Sequence, residues 1–342
     1  MTEPRVGERE PLPDAPAVAV VVPVLNEAGH LRAAVESILA QDYPVPCQVV
    51  LALGPSNDGT DAVARELAAR DERVTLVANP TGRTPNGLNA ALAATDRPVI
   101  VRVDAHSELP QGYVSEAVRT LQRTGADNVG GIMGAEGRTD FERAVAHAMT
   151  SPFGVGGARF HTGGAEGPAE TVYLGAFRRD TLVRLGGYDE QFTRAQDWEL
   201  NHRIRQAGGL VWFDPALYVT YRPRPDLRRL ARQYRDYGRW RGVVSRTHAG
   251  TINLRYLAPP VTLVGIVLGT VLGVVGLLLG QPWLVSGLVL PAVYVLAVLV
   301  GVVAARGLRP AIRARLLLVY PTMHLSWGWG FLTSRERLAA SS

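Results

Sequence analysis

Asp104-Ala105-His106 sets a carboxylate and an imidazole two residues apart just after an apolar run, where both can turn toward one divalent cation. Histidine suits Mn2+, whereas Mg2+ prefers oxygen ligands; His106 could instead hydrogen-bond a substrate hydroxyl. Asp197, in Gln196-Asp197-Trp198-Glu199, is a second carboxylate of interest. It could take a proton from a hydroxyl or cap the helix expected over 199–206. Pro23, Asn26 and Glu27 close the first apolar run of the chain, and Asp58 lies in Asn57-Asp58-Gly59-Thr60, in isolation a common turn-and-cap pattern. Arg83, flanked by Gly82, precedes a helix containing Asn89. A guanidinium and free N–H groups at a helix start suit a diphosphate; an exposed loop arginine is the plainer reading.

The elements that must position these groups alternate. The run AVAVVVPV is a continuous β-branched stretch of the kind that makes a parallel strand buried on both faces. Helical spacing follows over 31–40, a strand over 48–53, a helix over 61–70, a strand over 74–78, a helix over 86–94 and a strand over 98–103. Such alternation predicts a doubly wound α/β sheet, with ligands at the carboxyl ends of its strands. Asn26-Glu27, Asp58 and Asp104-Ala105-His106 all fall at such ends, on one site.

The chain has 342 residues, 47% of them hydrophobic and 20% charged, enough for about two structural units with large cores and too apolar for general disorder. The single cysteine, Cys47, excludes a disulfide framework and a cysteine-rich zinc site. All 36 basic residues are arginine, and ten of them lie between Arg222 and Arg255, directly before a long apolar tract. That placement favours a membrane surface over nucleic acid. Residues 257–280 and 283–305 are uncharged and each exceeds the roughly 20 residues needed to cross a bilayer core. They predict a helical hairpin with arginine-rich flanks on the cytoplasmic side, hence a multi-pass protein of the inner membrane whose catalytic domain is cytoplasmic. A third apolar segment, 316–333, suits a spanning or an interfacial helix equally well, with Pro321, His324, Trp327 and Trp329 inside it. The expected division is a loose tail over 1–16, a catalytic domain over 17–245 and a membrane region over 246–342.

VVVPVLNE, PSNDGT, VRVDAHSELP, YLGAFRRDTLVRLGGYDE and AQDWELNHRIRQAG, in that order, resemble glycosyltransferase family 2, the inverting nucleotide-sugar enzymes of GT-A fold. The similarity covers about residues 17–245 and is greatest to the membrane-anchored exopolysaccharide enzymes of succinoglycan type. The resemblance implies a mixed GT-A sheet and a nucleotide-diphosphate sugar as donor. Pro23, Asn26, Glu27 and Asp58 would meet the nucleotide, Arg83 and Asn89 the donor phosphates, and Asp104 with His106 the metal. Asp197 would be the general base, and a polyprenyl-linked glycan the acceptor. Three departures stand out: His106 where the family has aspartate, Gln196 where it often has glutamate, and Leu53 where an aspartate is frequent. The stretch 228–241, alternating cations and aromatics, is read as an interfacial helix meeting lipid headgroups or the acceptor diphosphate, and Phe153-Gly154-Val155-Gly156-Gly157 as an acceptor-side loop. Two other functions fit less of the sequence: a transferase acting directly on polyprenyl phosphate, and a non-catalytic scaffold subunit of a membrane glycan complex.

Overall fold

The computed structural model describes residues 11–335; the first ten residues of the expected tail and residues 336–342 lie outside it. The opening apolar run forms β1 (Val18–Val24), followed by α1 (Leu31–Leu39), β2 (Gln48–Leu53), α2 (Thr60–Arg70), β3 (Val74–Ala78), α3 (Thr84–Ala93), β4 (Val99–Arg102) and α4 (Tyr113–Thr124). β1 pairs in parallel with β2 on one side and β4 on the other, and β2 with β3. Val18, Val20, Val22, Val49, Leu51, Val99 and Val101 are buried together, which is why these strands read as unbroken apolar runs.

Beyond β4 the sheet changes direction. β5 (Asn128–Ala135) is followed by α5 (Asp140–Thr150), α6 (Pro152–Val155), α7 (Arg159–Thr162), β6 (Gly167–Pro168) and β7 (Tyr173–Arg178). β7 inserts antiparallel between β4 and β5. After α8 (Arg179–Arg184) and α9 (Gln196–Gln206), β8 (Val211–Tyr221) completes an eight-stranded mixed sheet of order β3-β2-β1-β4-β7-β5-β8-β6. β5 lies against β8 so closely that a Cβ on Gly131 would meet the Leu217 carbonyl oxygen; only glycine fits there.

The described residues divide into two compact units that interleave in sequence: residues 11–134 with 162–221, and residues 135–161 with 222–335. The second contains α10 (Leu227–Thr247), α11 (Leu254–Leu279), α12 (Pro282–Val285), α13 (Val289–Ala304) and α14 (Pro310–Leu332). Among the described residues, two stretches, Leu254–Leu279 and Pro282–Ala304, are long and apolar enough to cross a membrane. They make the expected hairpin: Gly269 and Gly276 of α11 approach the backbone of the returning segment at Gly287 and Val285. The third apolar segment is one helix despite Pro321, and it starts six residues earlier than expected. It packs along α10 almost backbone to backbone. A Cβ on Gly238 would fall on the Trp327 carbonyl oxygen, and one on Gly330 on the carbonyl oxygen of Arg235.

Candidate active site

β1 and β2 end side by side, and the loops that leave them are latched together. Asn26 adopts a left-handed conformation with φ 55°, which turns its backbone toward the second loop. Its N–H donates to Ser56 Oγ at 3.0 Å, and its Oδ1 accepts from the Asn57 N–H at 2.9 Å. The Glu27 N–H donates to Thr60 Oγ1 at 2.8 Å, and the Ala28 N–H to Asp58 Oδ2 at 3.1 Å. Asp58 Oδ1 accepts from the Thr60 hydroxyl and N–H. The Thr60 hydroxyl, followed by the backbone donors, holds the Asp58 carboxyl below its ordinary pKa. Asn26 and Asp58 therefore first build the loop pair. Pro23 is half-buried within β1, in register with Ala52.

Glu27 stays at the rim of this loop pair and reaches across to the end of β4. Its Oε1 lies 3.0 Å from His106 Nδ1, and its Oε2 lies 3.2 Å from His30 Nδ1. His106 is thus brought to Glu27, with 43% of its side chain exposed.

The centre of the site is an arginine that the motifs did not single out. Arg102, the last residue of β4, has a side chain only 5% exposed and donates to both Asp104 Oδ1, at 3.1 Å, and Asp197 Oδ1. The two carboxylates picked from separate motifs, 93 residues apart in the numbering, are bridged by one guanidinium. Burial works against the Arg102 charge, and Asp197 and Asp104 outweigh it, so its pKa is raised. Burial pushes the Asp197 carboxyl up to about 6; Arg102 opposes the rise and Asp104 adds to it. Tyr188 is fully enclosed beside the same charges, and burial raises its phenol pKa. The signal for Arg102 was present in VIVRVDAH: a cation inside an otherwise apolar buried strand requires a partner.

Asp197 does not sit at a helix cap. α9 starts at Gln196, three residues before the expected start, so Asp197 occupies the first turn, where the helix dipole favours its charge. The turn into the helix is made by Ala195, with φ 60° and no side-chain cap. One turn on, Glu199 is fully buried and takes two bonds from Arg203, at 2.6 and 2.7 Å. Arg203 also donates to the carbonyls of Leu185 and Gly187, fixing the Gly186-Gly187 loop against α9.

The remaining expected residues divide. Arg83 is exposed at the start of α3 and has no carboxylate partner among the described residues. Asn89 is engaged at both amide atoms: Nδ2 donates to the Tyr188 carbonyl at 2.8 Å, and Oδ1 accepts from the Tyr188 N–H at 2.8 Å. Its contacts therefore tie α3 to the segment that carries Tyr188.

Among the described residues, no three acidic, histidine or cysteine side chains converge as a cage. Asp104, 23% exposed, has Oδ1 on Arg102, and His106 two residues on has Nδ1 at Glu27; a cation arriving with substrate phosphates, which needs only partial protein coordination, would find its ligands in these two side chains.

A parallel half-sheet extended by antiparallel strands, with carboxylates gathered at the strand ends, defines a GT-A glycosyltransferase fold. Residues 19–186 match Glycosyl transferase family 2, and the chain belongs to that family. It is 33% identical over 327 residues to the Succinoglycan biosynthesis protein ExoA of Rhizobium meliloti, covering 94% of this chain and 96% of that protein. Glycosyltransferase AglE of Haloferax volcanii is 28% identical over 118 residues, 34% of this chain and 39% of AglE. Among solved structures, the mannosyltransferase PcManGT from Pyrobaculum calidifontis, in complex with GDP-Man and Mn2+, superposes with a TM-score of 0.58 at 22% identity. That superposition covers 96% of this chain and 90% of PcManGT, and it concerns the fold.

Proposed function

We propose that this protein transfers a sugar, with inversion, from a nucleotide-diphosphate sugar to a lipid-linked glycan during exopolysaccharide synthesis. It works as a multi-pass enzyme of the inner membrane with its catalytic unit on the cytoplasmic side. The observation that carries the reading is the single guanidinium of Arg102 on both Asp104 and Asp197. The ExoA relative, similar over nearly its whole length, supports the exopolysaccharide context, and the two long apolar helices support anchoring.

Asp104, with His106 beside it, would hold a divalent cation, Mn2+ or Mg2+, which when bound offsets charge on the departing diphosphate. Asp197 uses one oxygen for Arg102, leaving the other for the acceptor hydroxyl. It takes that proton as the acceptor oxygen attacks the anomeric carbon opposite the diphosphate; the new C–O bond forms while the old one breaks, inverting the centre. A carboxyl titrating near 6 is largely ionised at neutral pH yet basic enough to accept a proton, which suits this task. The latched loops that carry Asn26, Glu27 and Asp58 present a fixed rim for the nucleotide, and exposed Arg83 is free to pair with a donor phosphate.

The direct test is Asp197→Asn in the full-length enzyme. Nucleotide binding should persist, while transfer falls by a factor of about 100 or more. Retained turnover would remove Asp197 from its role.

A further inference from the structure

The membrane-helix unit holds a half-open cavity of about 420 Å³ that the catalytic chemistry does not use. Every residue lining it belongs to that unit, from the segment 152–161 and from α10, α11, α13 and α14. Its walls are mainly rings, including Phe153, Tyr256, Tyr294 and Trp327, and neither aspartate nor glutamate lines it. Its volume lies in the range of about 300–1,000 Å³ that suits a small ligand or a few units of a long chain.

Two polar groups in this wall are left for a ligand. Arg255 is half-buried and lies over the Tyr256 ring at 4.6 Å, with one bond to the Tyr256 hydroxyl at 2.7 Å. It has no carboxylate partner among the described residues. Gly156 makes room for its stem, since a Cβ there would lie 2.7 Å from Arg255 Cδ. His161 has a buried Nδ1 with no hydrogen-bond partner. Burial, with Arg255 adding to it, holds this imidazole down to about 3, so it faces the cavity neutral. The cavity's other histidine differs: His324 has one ring nitrogen 3.0 Å from the Phe153 carbonyl and the other 3.2 Å from the Tyr294 hydroxyl, so it braces the wall. An uncompensated cation and an unsatisfied buried nitrogen at the edge of a ring-lined space call for an anion with an apolar tail.

We propose that this cavity binds the phosphate-proximal isoprene units of a polyprenyl phosphate or diphosphate, with Arg255 and His161 on the phosphate. The proposal rests on the reading of a lipid-linked acceptor and gives that lipid its site. The unsaturated, methyl-branched units of a polyprenyl chain offer π faces as well as C–H edges to the surrounding rings, and a straight saturated acyl chain lacks the π faces.

The test titrates full-length protein in detergent with polyprenyl phosphate, polyprenol and phosphatidylglycerol, counting bound lipid by native mass spectrometry. Polyprenyl phosphate should bind one to one, about tenfold or more tighter than either comparator. Arg255→Gln should lose about that factor for the phosphate and nothing for polyprenol, and Ala297→Trp, which fills the cavity, should lose both. A photoreactive polyprenyl phosphate on the wild-type protein should label peptides within 152–161 and 254–262, a readout independent of how the variants fold. Equal binding of phosphatidylglycerol, an unaffected Arg255→Gln, or labelling elsewhere would overturn the assignment. Transfer by Arg255→Gln with an unchanged acceptor KM overturns the cavity alone. Tight lipid binding by a protein that transfers to no lipid-linked acceptor supports the cavity and overturns the function.

Discussion

Replacing Arg102 with glutamine removes the one cation that touches both carboxylates, and its effect can be worked out from the site. Asp197 titrates near 6 with Arg102 opposing the rise. A neighbouring cation lowers a carboxyl pKa by about 1–3 units, and solvent access to 27% of the Asp197 side chain favours the lower part of that range. Asp197 in Arg102→Gln should therefore titrate near 7–8 by the same reckoning, about 1–2 units up. The base form is lost as pH falls through the pKa, so its share at pH 7 drops from about nine-tenths to between about a half and a tenth. Turnover at pH 7 should fall about twofold to tenfold and recover when the pH is raised. The assay is kcat against pH, from about 5 to 9.5, at saturating donor, acceptor and cation in both proteins. An acidic limb that stays at the wild-type position in Arg102→Gln would refute the coupling of Arg102 to Asp197.

Asp104→Asn should weaken cation-dependent binding of the donor nucleotide by about tenfold or more, read by calorimetry with and without Mn2+. A thermal-shift panel of nucleotide sugars should single out one donor, with a shift that grows with its concentration and collapses when the cation is chelated. Gly131→Ala should cost about 3 kcal/mol or more of stability, seen as a lower melting temperature, because its Cβ would overlap the Leu217 carbonyl oxygen. The full-length protein should stay in the membrane pellet after an alkaline carbonate wash, since spanning helices resist a treatment that releases surface-bound proteins.

What the sequence disclosed and what it hid have physical reasons. β2 and β3 span the same residues as expected; β2 is buried through its middle, so the limits of its apolar run mark the strand, and the shorter run Val74–Ala78 marks β3 at the sheet edge. The antiparallel insertion of β7 was not legible, since a strand's partner is set by contacts distant in sequence. α9 was placed three residues late because it lacks a side-chain cap and its first turn carries Gln196 and Asp197, outside any apolar spacing. Chemistry-bearing types at strand ends were visible; their partners were not. Nothing in Asn86-Gly87-Leu88-Asn89 foretells that Asn89 would be engaged by the backbone of Tyr188. Arg102 was hidden differently: its charge sat in plain view inside a strand, but the two acids that answer it come from separate parts of the chain.

The glycine contacts between α10 and α14 have a consequence for how such an enzyme meets its substrates. An amphipathic arginine-rich helix alone is a reversible surface binder. Here Gly238 and Gly330 let it lie against an apolar helix with no side-chain layer between, so peeling it away would expose carbonyls and rings together. In a bilayer Arg228, Arg232 and Arg235 then ride at a constant depth. With the lipid-linked acceptor proposed above, the search for that lipid would be lateral diffusion within one leaflet, with no cycle of docking and release.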